Sequence, residues 1–133
     1  MNNLYRKHVS EPWFSVMAIG CKTIEGRLHR DDWAKMEEGD QIDWYNHDFG
    51  LKREFRTIIV KKRIYPCLTS YLTIEGLQKT LVTIDNLKDG LQIYHIFYKP
   101  KDEEEYGIVA FELKVVSKVK TNSNNTICLQ FES

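Results

Sequence analysis

The spacing of hydrophobic residues changes several times along the chain, and each change predicts a new element. Residues 4–9 predict a short strand, and residues 13–18 then follow at helical spacing between Ser10, at the position of an N-cap, and Gly20, a good C-terminal stop. Residues 21–28 alternate with a period of two, which is typical of an extended strand. This strand is unusual because one of its faces is polar and charged.

The later segments continue the mixture of strands and helices. We predict a short helix over residues 30–38, strands over 41–45 and 53–65, a helix over 68–81, and a second amphipathic helix that ends before Pro100. Residues 101–105 are predicted to be a charged connector, and strands over 108–116 and 126–131 complete the chain. Since strands far apart in sequence must meet, the pattern predicts an α+β fold, most economically a small closed or nearly closed sheet with helices against it.

Composition indicates one globular domain. The chain has 133 residues, of which 42% are hydrophobic and 29% charged, so we assign residues 1–133 to a single domain. The 19 basic and 19 acidic residues give a formal net charge of zero. A strongly basic field, typical of non-specific nucleic-acid binding, is therefore absent, and any site for a polyanion must be a local pocket.

Several further expectations concern compartment and cofactors. The sequence contains no apolar run near the roughly 20 residues that a membrane-spanning helix needs, and its first residues lack the apolar core of a signal peptide. The three cysteines are widely spaced without a CxxC pair, which favours a reducing, cytoplasmic setting. No histidine spacing or phosphate-loop motif indicates a metal or a cofactor. We expect no membrane partner and a monomer.

Four positions around the charged strand match a known pattern. Gly20, Lys22, Glu25 and Arg27 form a G-x-K-x-x-E-x-R sequence directly after a helix that ends in glycine. Supporting similarity lies in residues 11–14, 39–40, 74–77, 93–98 and 106–110. On these residues the chain resembles, over nearly its whole length, the ASCH domain family, which belongs to the PUA-like superfamily of small β-barrels.

This resemblance implies a β-barrel with a cleft beside the signature strand that holds RNA or a nucleotide. Some members of the family look like RNases, and one small branch hydrolyses N4-acylated cytidines. That branch has a lysine where Lys22 stands, a threonine in place of Glu25, and a later glutamate for which Glu75 is the best match. Because Glu25 replaces the threonine, the hydroxyl nucleophile of that branch is missing here.

The chemistry of the charged strand allows two interpretations. On a regular strand Thr23, Glu25 and Arg27 share one face, where a carboxylate can accept a hydrogen bond from an exocyclic amine and a guanidinium can bind phosphate or a carbonyl edge. Lys22 could pair with phosphate or, with a lowered pKa, act as a base. Alternatively, Glu25 and Arg27 form an ion pair that stabilises the fold, and Lys22 is solvated.

Other side chains could add to a nucleotide site. Among the aromatic residues, Tyr45 and Tyr98 are the better candidates for stacking on a base, whereas Trp13, Phe14 and Phe97 lie on helical apolar faces and are expected in the core. Basic residues along the strand over 53–65 form either a positive stripe or an ordinary solvated face, and Lys114, Lys118 and Lys120 extend it if the two strands are neighbours.

Three functions follow from these observations. The first is a binding module in which Lys22, Thr23, Glu25, Arg27, Tyr45 and Tyr98 hold RNA or a nucleotide. The second is a hydrolase of the same fold, either an RNase or an enzyme acting on acylated cytidine, with Lys22 and Glu25 or Glu75 as the acid and base. The third is an interaction or adaptor domain in which the signature residues only brace the fold.

Overall fold

A mixed α+β architecture is observed in the computed structural model, which describes residues 1–122. Five strands form one sheet in the order β1-β3-β4-β5-β2. Their bounds are Leu4–His8 (β1), Ile24–Leu28 (β2), Gln41–Asn46 (β3), Lys52–Tyr65 (β4) and Ile108–Asn122 (β5). The predicted strand over residues 126–131 lies outside the described residues.

Six helices pack around this sheet within the described part of the chain. They are Trp13–Ala18 (α1), Asp31–Lys35 (α2), Leu68–Glu75 (α3), Leu77–Thr80 (α4), Leu87–Phe97 (α5) and Pro100–Tyr106 (α6), and a 3-10 turn covers Asp48–Gly50. The helix predicted over residues 68–81 is two helices, because Gly76 adopts a φ of +92° between them. None of the helices over residues 1–122 is long and apolar enough to span a membrane.

Two predictions about local structure are wrong for identifiable reasons. Residues 101–105 form helix α6 instead of a connector, because Pro100 lies in the first turn and Asp102 and Glu103 place negative charge near the helix N-terminus. The N-cap of α1 is Pro12 and not Ser10. The Glu11 carboxylate instead accepts hydrogen bonds from the backbone N–H and the hydroxyl of Ser15.

The signature strand is shorter than predicted. The backbone N–H groups of Cys21 and Lys22 both donate to the carbonyl of Val16, at 3.0 and 2.9 Å, so these two residues complete the end of α1. Strand β2 therefore begins at Ile24. As a result Lys22 and Thr23 lie in the connection that enters the strand and do not follow its alternation.

The sheet curls into a half-barrel with a seam between β1 and β2. Strand β1 pairs in parallel with β3, and β2 pairs in antiparallel with β5, so each lies at one edge of the sheet. Within residues 1–122 no ladder joins these two edges. Arg27 of β2 reaches across, with its Nη2 atom 3.4 Å from the carbonyl oxygen of His8 in β1. Over residues 1–122 the sheet is therefore open along this seam, and the seam is where a cavity can form.

Two hydrophobic clusters fill the interior. One lies around Trp44, Phe55 and Phe111, where α1 covers the curled sheet. The other lies around Tyr71 and Tyr94, where α3 and α5 cover β2 and the start of β5. Trp13 packs against both clusters. The seam of the half-barrel therefore lies beside the junction of the two clusters.

Candidate functional site

A cleft of about 300 Å³ opens beside β2 at the seam of the half-barrel. The end of β1 contributes His8, α1 contributes Trp13, and the signature segment contributes Lys22, Glu25, Gly26 and Arg27. The opposite wall comes from α5 and the residue after it, with Tyr94, Phe97 and Tyr98. The volume is at the lower end of the range of small-molecule sites, about 300 to 1,000 Å³. The cleft thus combines a charged floor with aromatic walls.

The charged floor is a buried carboxylate between two cations. Glu25 Oε1 lies 3.1 Å from Lys22 Nζ, and Glu25 Oε2 lies 2.9 Å from Arg27 Nη2. The side chains of Lys22 and Glu25 are only 2% and 8% exposed, whereas that of Arg27 is 21% exposed. Two positive charges against one negative charge leave this group with a formal charge of +1. An anionic ligand in the cleft would find a favourable field there.

Lys22 is held by three acceptors. Its ammonium donates to the carbonyl oxygens of Ile24 and Thr80, each at 2.5 Å, and it contacts the Glu25 carboxylate. An ammonium group has three donors, so this arrangement uses all of them. If Lys22 lost a proton, a nitrogen lone pair would face one of these oxygens, and repulsion would replace a hydrogen bond. The coordination therefore favours a charged lysine that positions Glu25.

Arg27 combines internal contacts with a free donor face. Its Nε and Nη2 atoms donate to Glu25 Oε2 at 3.2 and 2.9 Å, and its guanidinium carbon lies 4.6 Å from the ring centroid of Trp33. Within the described residues, Nη1 has no hydrogen-bond acceptor in the protein. The ion pair and the stacking hold the guanidinium plane in place, and Nη1 remains able to donate to a ligand.

The pKa values at the floor reflect burial and the neighbouring charges. Burial lowers the pKa of Lys22, and the Glu25 carboxylate opposes this effect. Burial would raise the pKa of Glu25, but Lys22 and Arg27 outweigh it and hold that pKa below its usual value. Glu25 is consequently a carboxylate near neutral pH and acts as a hydrogen-bond acceptor.

Aromatic side chains shape the walls. Tyr71 and Tyr94 join their hydroxyl groups at 2.8 Å, and Tyr98 stacks on Tyr94 with ring centroids 6.1 Å apart. Burial raises the pKa of Tyr98 to about 12, so its hydroxyl keeps its proton. Phe97, at 58% exposed, presents a large part of its ring at the mouth of the cleft.

The structure brings together some of the predicted site residues and separates others. Lys22, Glu25, Arg27 and Tyr98 all line the cleft. Thr23 instead lines a second cavity between the end of α1 and β5, because the strand alternation starts only after it. The interpretation in which Lys22 is solvated is wrong, since its residue exposure is 3%.

Tyr45 and Glu75 are placed away from the cleft. Tyr45 lies under the guanidinium of Arg6, whose central carbon is 3.8 Å from the ring centroid. Glu75 accepts hydrogen bonds from Arg63 at 2.6 and 2.9 Å and from the Tyr65 hydroxyl at 2.5 Å. Both residues lie outside the lining of the cleft.

Sequence reasoning missed several residues of the cleft. Helical spacing predicts Trp13 and Phe97 in the core, yet both line the cleft, as do Gly26 and Tyr94. The exposure of Phe97 arises because α5 ends at that residue, immediately before the chain turns toward Pro100. Two adjacent aromatic residues at a predicted helix end were the only available signal.

The basic stripe along β4 is largely neutralised. Strands β4 and β5 are neighbours, as the extension of the stripe required. Four of the six cations of β4 nevertheless have acidic partners: Arg53 with Glu11, Arg56 with Asp43, Lys62 with Glu37, and Arg63 with Glu75 and Glu112. This face therefore resembles a surface of mutually paired charges more than an open polyanion site.

Fold and site together define a small α+β domain whose half-barrel seam carries a charged, aromatic-walled cleft.

Neither a protein-family model nor a curated protein sequence matches the chain. Two solved structures have the same fold. The crystal structure of hypothetical protein PH0355 is 25% identical with a TM-score of 0.76, and the alignment covers 85% of this chain and 99% of that one. The solution structure of protein PF0455 from Pyrococcus furiosus is 27% identical with a TM-score of 0.68, covering 85% and 97%. Neither name states an activity, so the similarity concerns the fold.

Proposed function

We propose that this chain is an ASCH-type domain of the PUA-like superfamily that binds a nucleotide or a segment of RNA in the cleft beside β2. One observation carries the proposal. A buried carboxylate with a cation on each side forms the floor of a cleft whose walls include Trp13, Phe97 and Tyr98. Such a site offers charge to a phosphate or a base edge, and flat rings to a base.

The chemistry of the floor suits a ligand that has both polar edges and negative charge. Glu25 keeps lone pairs that can accept from an amine of the ligand, and Arg27 Nη1 can donate to a carbonyl or to phosphate. Because the chain as a whole carries no net charge, the local charge of the floor supplies the attraction. We therefore expect recognition of one nucleotide or a few, and little affinity for long polyanions in general.

Binding is favoured over hydrolysis by the same contacts. A general base needs a free lone pair near the substrate, and the three donors of Lys22 are all directed to protein oxygens. Glu25, the second candidate, is held between Lys22 and Arg27, which lower its pKa and make it a weaker base. Glu75, the third candidate, pairs with Arg63 and Tyr65 outside the cleft. The cluster is built to hold Glu25 and Arg27 still, which is what specific binding requires.

The contacts give less support to the alternative in which Lys22, Glu25 and Arg27 only stabilise the fold. Removing ions from water is costly, and well-packed apolar residues often replace a buried ion pair without loss of stability. A buried charged cluster is easier to understand where an open cleft lets it meet a ligand. The exposed fraction of Arg27 and its free Nη1 atom supply that access.

The direct test is a calorimetric titration with the four nucleoside 5′-monophosphates and a single-stranded RNA 12-mer, each at low and high salt. We expect saturable binding that weakens as salt rises, because phosphate contacts release counterions. Arg27→Lys should weaken binding, since lysine cannot keep both the paired contact with Glu25 and the free donor.

The matched control is Arg56→Lys, which alters an arginine that pairs with Asp43 away from the cleft. Its binding should equal that of the unaltered protein. Absence of binding to every probe, or equal losses in the two variants while both remain folded by circular dichroism, would refute the proposed function.

A further inference from the structure

The edge of β2 presents main-chain groups to the cleft. The backbone N–H of Leu113 donates to the carbonyl of Thr23, and the N–H of His29 donates to the carbonyl of Gly107, so odd-numbered residues bond toward β5. In an antiparallel ladder the intervening residues direct their N–H and C=O groups the other way. Gly26 is such a residue, and it lines the cleft.

Of the three outward carbonyls on this edge, only that of Gly26 has no short hydrogen bond among the described residues. The carbonyl of Ile24 accepts from Lys22 Nζ at 2.5 Å, and the carbonyl of Leu28 accepts from the N–H of Arg30 at 2.8 Å. The carbonyl of Gly26, between them, is approached only by the Tyr98 hydroxyl, at 3.4 Å. Within the described residues, the N–H of Gly26 has no acceptor in the protein.

The length of this open edge decides what can pair with it. A peptide that adds a strand to a sheet needs several consecutive outward groups, and two of the three carbonyls are already occupied. A nucleobase needs only one adjacent donor and acceptor, which each of the four bases carries on its Watson–Crick edge. Buried backbone groups nearly always have a partner, so a ligand edge at Gly26 would complete an otherwise open pair.

We propose that the N–H and C=O groups of Gly26 pair with the Watson–Crick edge of an unpaired base, while the aromatic walls hold its faces. The inference rests on the proposed function and deepens it. It assigns the substrate class as single-stranded RNA or free nucleotides, because a base within a duplex has this edge occupied. A methyl group on the edge removes the donor and blocks the approach to Gly26.

Two methylated isomers of equal charge isolate this contact. Uridine 5′-monophosphate is compared with its 3-methyl form, in which the edge is blocked, and with its 5-methyl form, in which the methyl lies away from the edge. The 5-methyl form should bind like the parent, and the 3-methyl form should bind about tenfold or more weakly, since a buried donor or acceptor is left unpaired.

A second comparison uses a mixed-sequence RNA 12-mer, alone and annealed to its complement. The single strand should bind about tenfold or more tightly per strand.

The outcomes separate the two proposals. Equal affinity for the two methyl isomers, or equal affinity for the single strand and the duplex, overturns the role of Gly26 but leaves nucleotide binding intact. Failure of every unmodified probe to bind removes the proposed function itself. Selective loss with the 3-methyl isomer and with the duplex supports both.

Discussion

The ring of Tyr71 occupies the space where a side chain of Gly26 would lie. A Cβ atom built on Gly26 would be 2.4 Å from Tyr71 Cζ and 2.6 Å from its hydroxyl oxygen. Tyr71 is fully buried and hydrogen-bonded to Tyr94, so the ring cannot move aside freely. Position 26, between Glu25 and Arg27, therefore requires glycine, because the hydrophobic cluster around Tyr71 and Tyr94 packs directly against its backbone.

Gly26→Ala is expected to destabilise the protein by overpacking, by about 1 to 3 kcal/mol. The measurement is the free energy of unfolding from urea denaturation. In the Tyr71→Leu background the same substitution should cost less, because the clashing ring atoms are gone. Equal costs in the two backgrounds would show that contact with the ring is not what requires glycine here.

Lys22→Met is expected to lower the free energy of unfolding by about 3 to 5 kcal/mol, the usual cost of removing one partner from a buried ion pair. The substitution leaves Glu25 with a single cation and leaves the carbonyls of Ile24 and Thr80 without their donor. Lys61→Met, at an exposed lysine of β4, is the control and should change stability by no more than about 0.5 kcal/mol. Similar values for the two variants would contradict the buried network.

Acid sensitivity should depend on Glu75. Burial alone would raise the pKa of its carboxyl, but the hydrogen bonds from Arg63 and Tyr65 outweigh that effect and lower it from the usual 4.5. A lowered pKa in the folded state gives stability that is present above about pH 4.5 and is lost as the pH falls through the folded pKa. Glu75→Gln should therefore flatten the fall in stability below pH 4.5.

The measurement for this prediction is urea unfolding across a pH series. Glu104→Gln, at an exposed glutamate of α6, serves as the control and should retain the slope of the unaltered protein. A slope that is unchanged in Glu75→Gln would contradict a carboxylate stabilised by Arg63 and Tyr65. Retained nucleotide binding in this variant would agree with its position outside the cleft.

Phe97 is expected to contribute to binding through stacking. Phe97→Ala should weaken nucleotide binding by about 1 to 3 kcal/mol, the usual value of one stacked base. Ile96→Ala is a close control, because Ile96 is 78% exposed on the same helix and does not line the cleft. Calorimetric affinities that fall equally in both variants, or in neither, would remove Phe97 from the ligand contacts.

Local pattern was sufficient for much of the fold. The strands β1, β3 and β4 lie within one residue of their expected bounds, because alternating and β-branched residues specify extended backbone locally. The charged segment around Lys22, Glu25 and Arg27 was also recognisable, since its residue types and spacing are read directly from the chain. Helix α6 was missed because a run of charged residues carries no apolar period, although proline and acidic residues favour its first turn.

The partners of these residues depended on contacts between distant segments. The buried ammonium of Lys22 donates a hydrogen bond to the carbonyl of Thr80, 58 residues away, and Glu75 lies outside the cleft, where Arg63 binds its carboxylate. The sequence alone determined the mixed α+β class, the charged signature strand and the types of chemistry available. Only the tertiary structure decided that the sheet formed by the described residues is open at a seam, that the cleft forms there, and which aromatic rings face it. The physical reason is that backbone preference is a local property, whereas burial and hydrogen-bond partners depend on which distant surfaces meet.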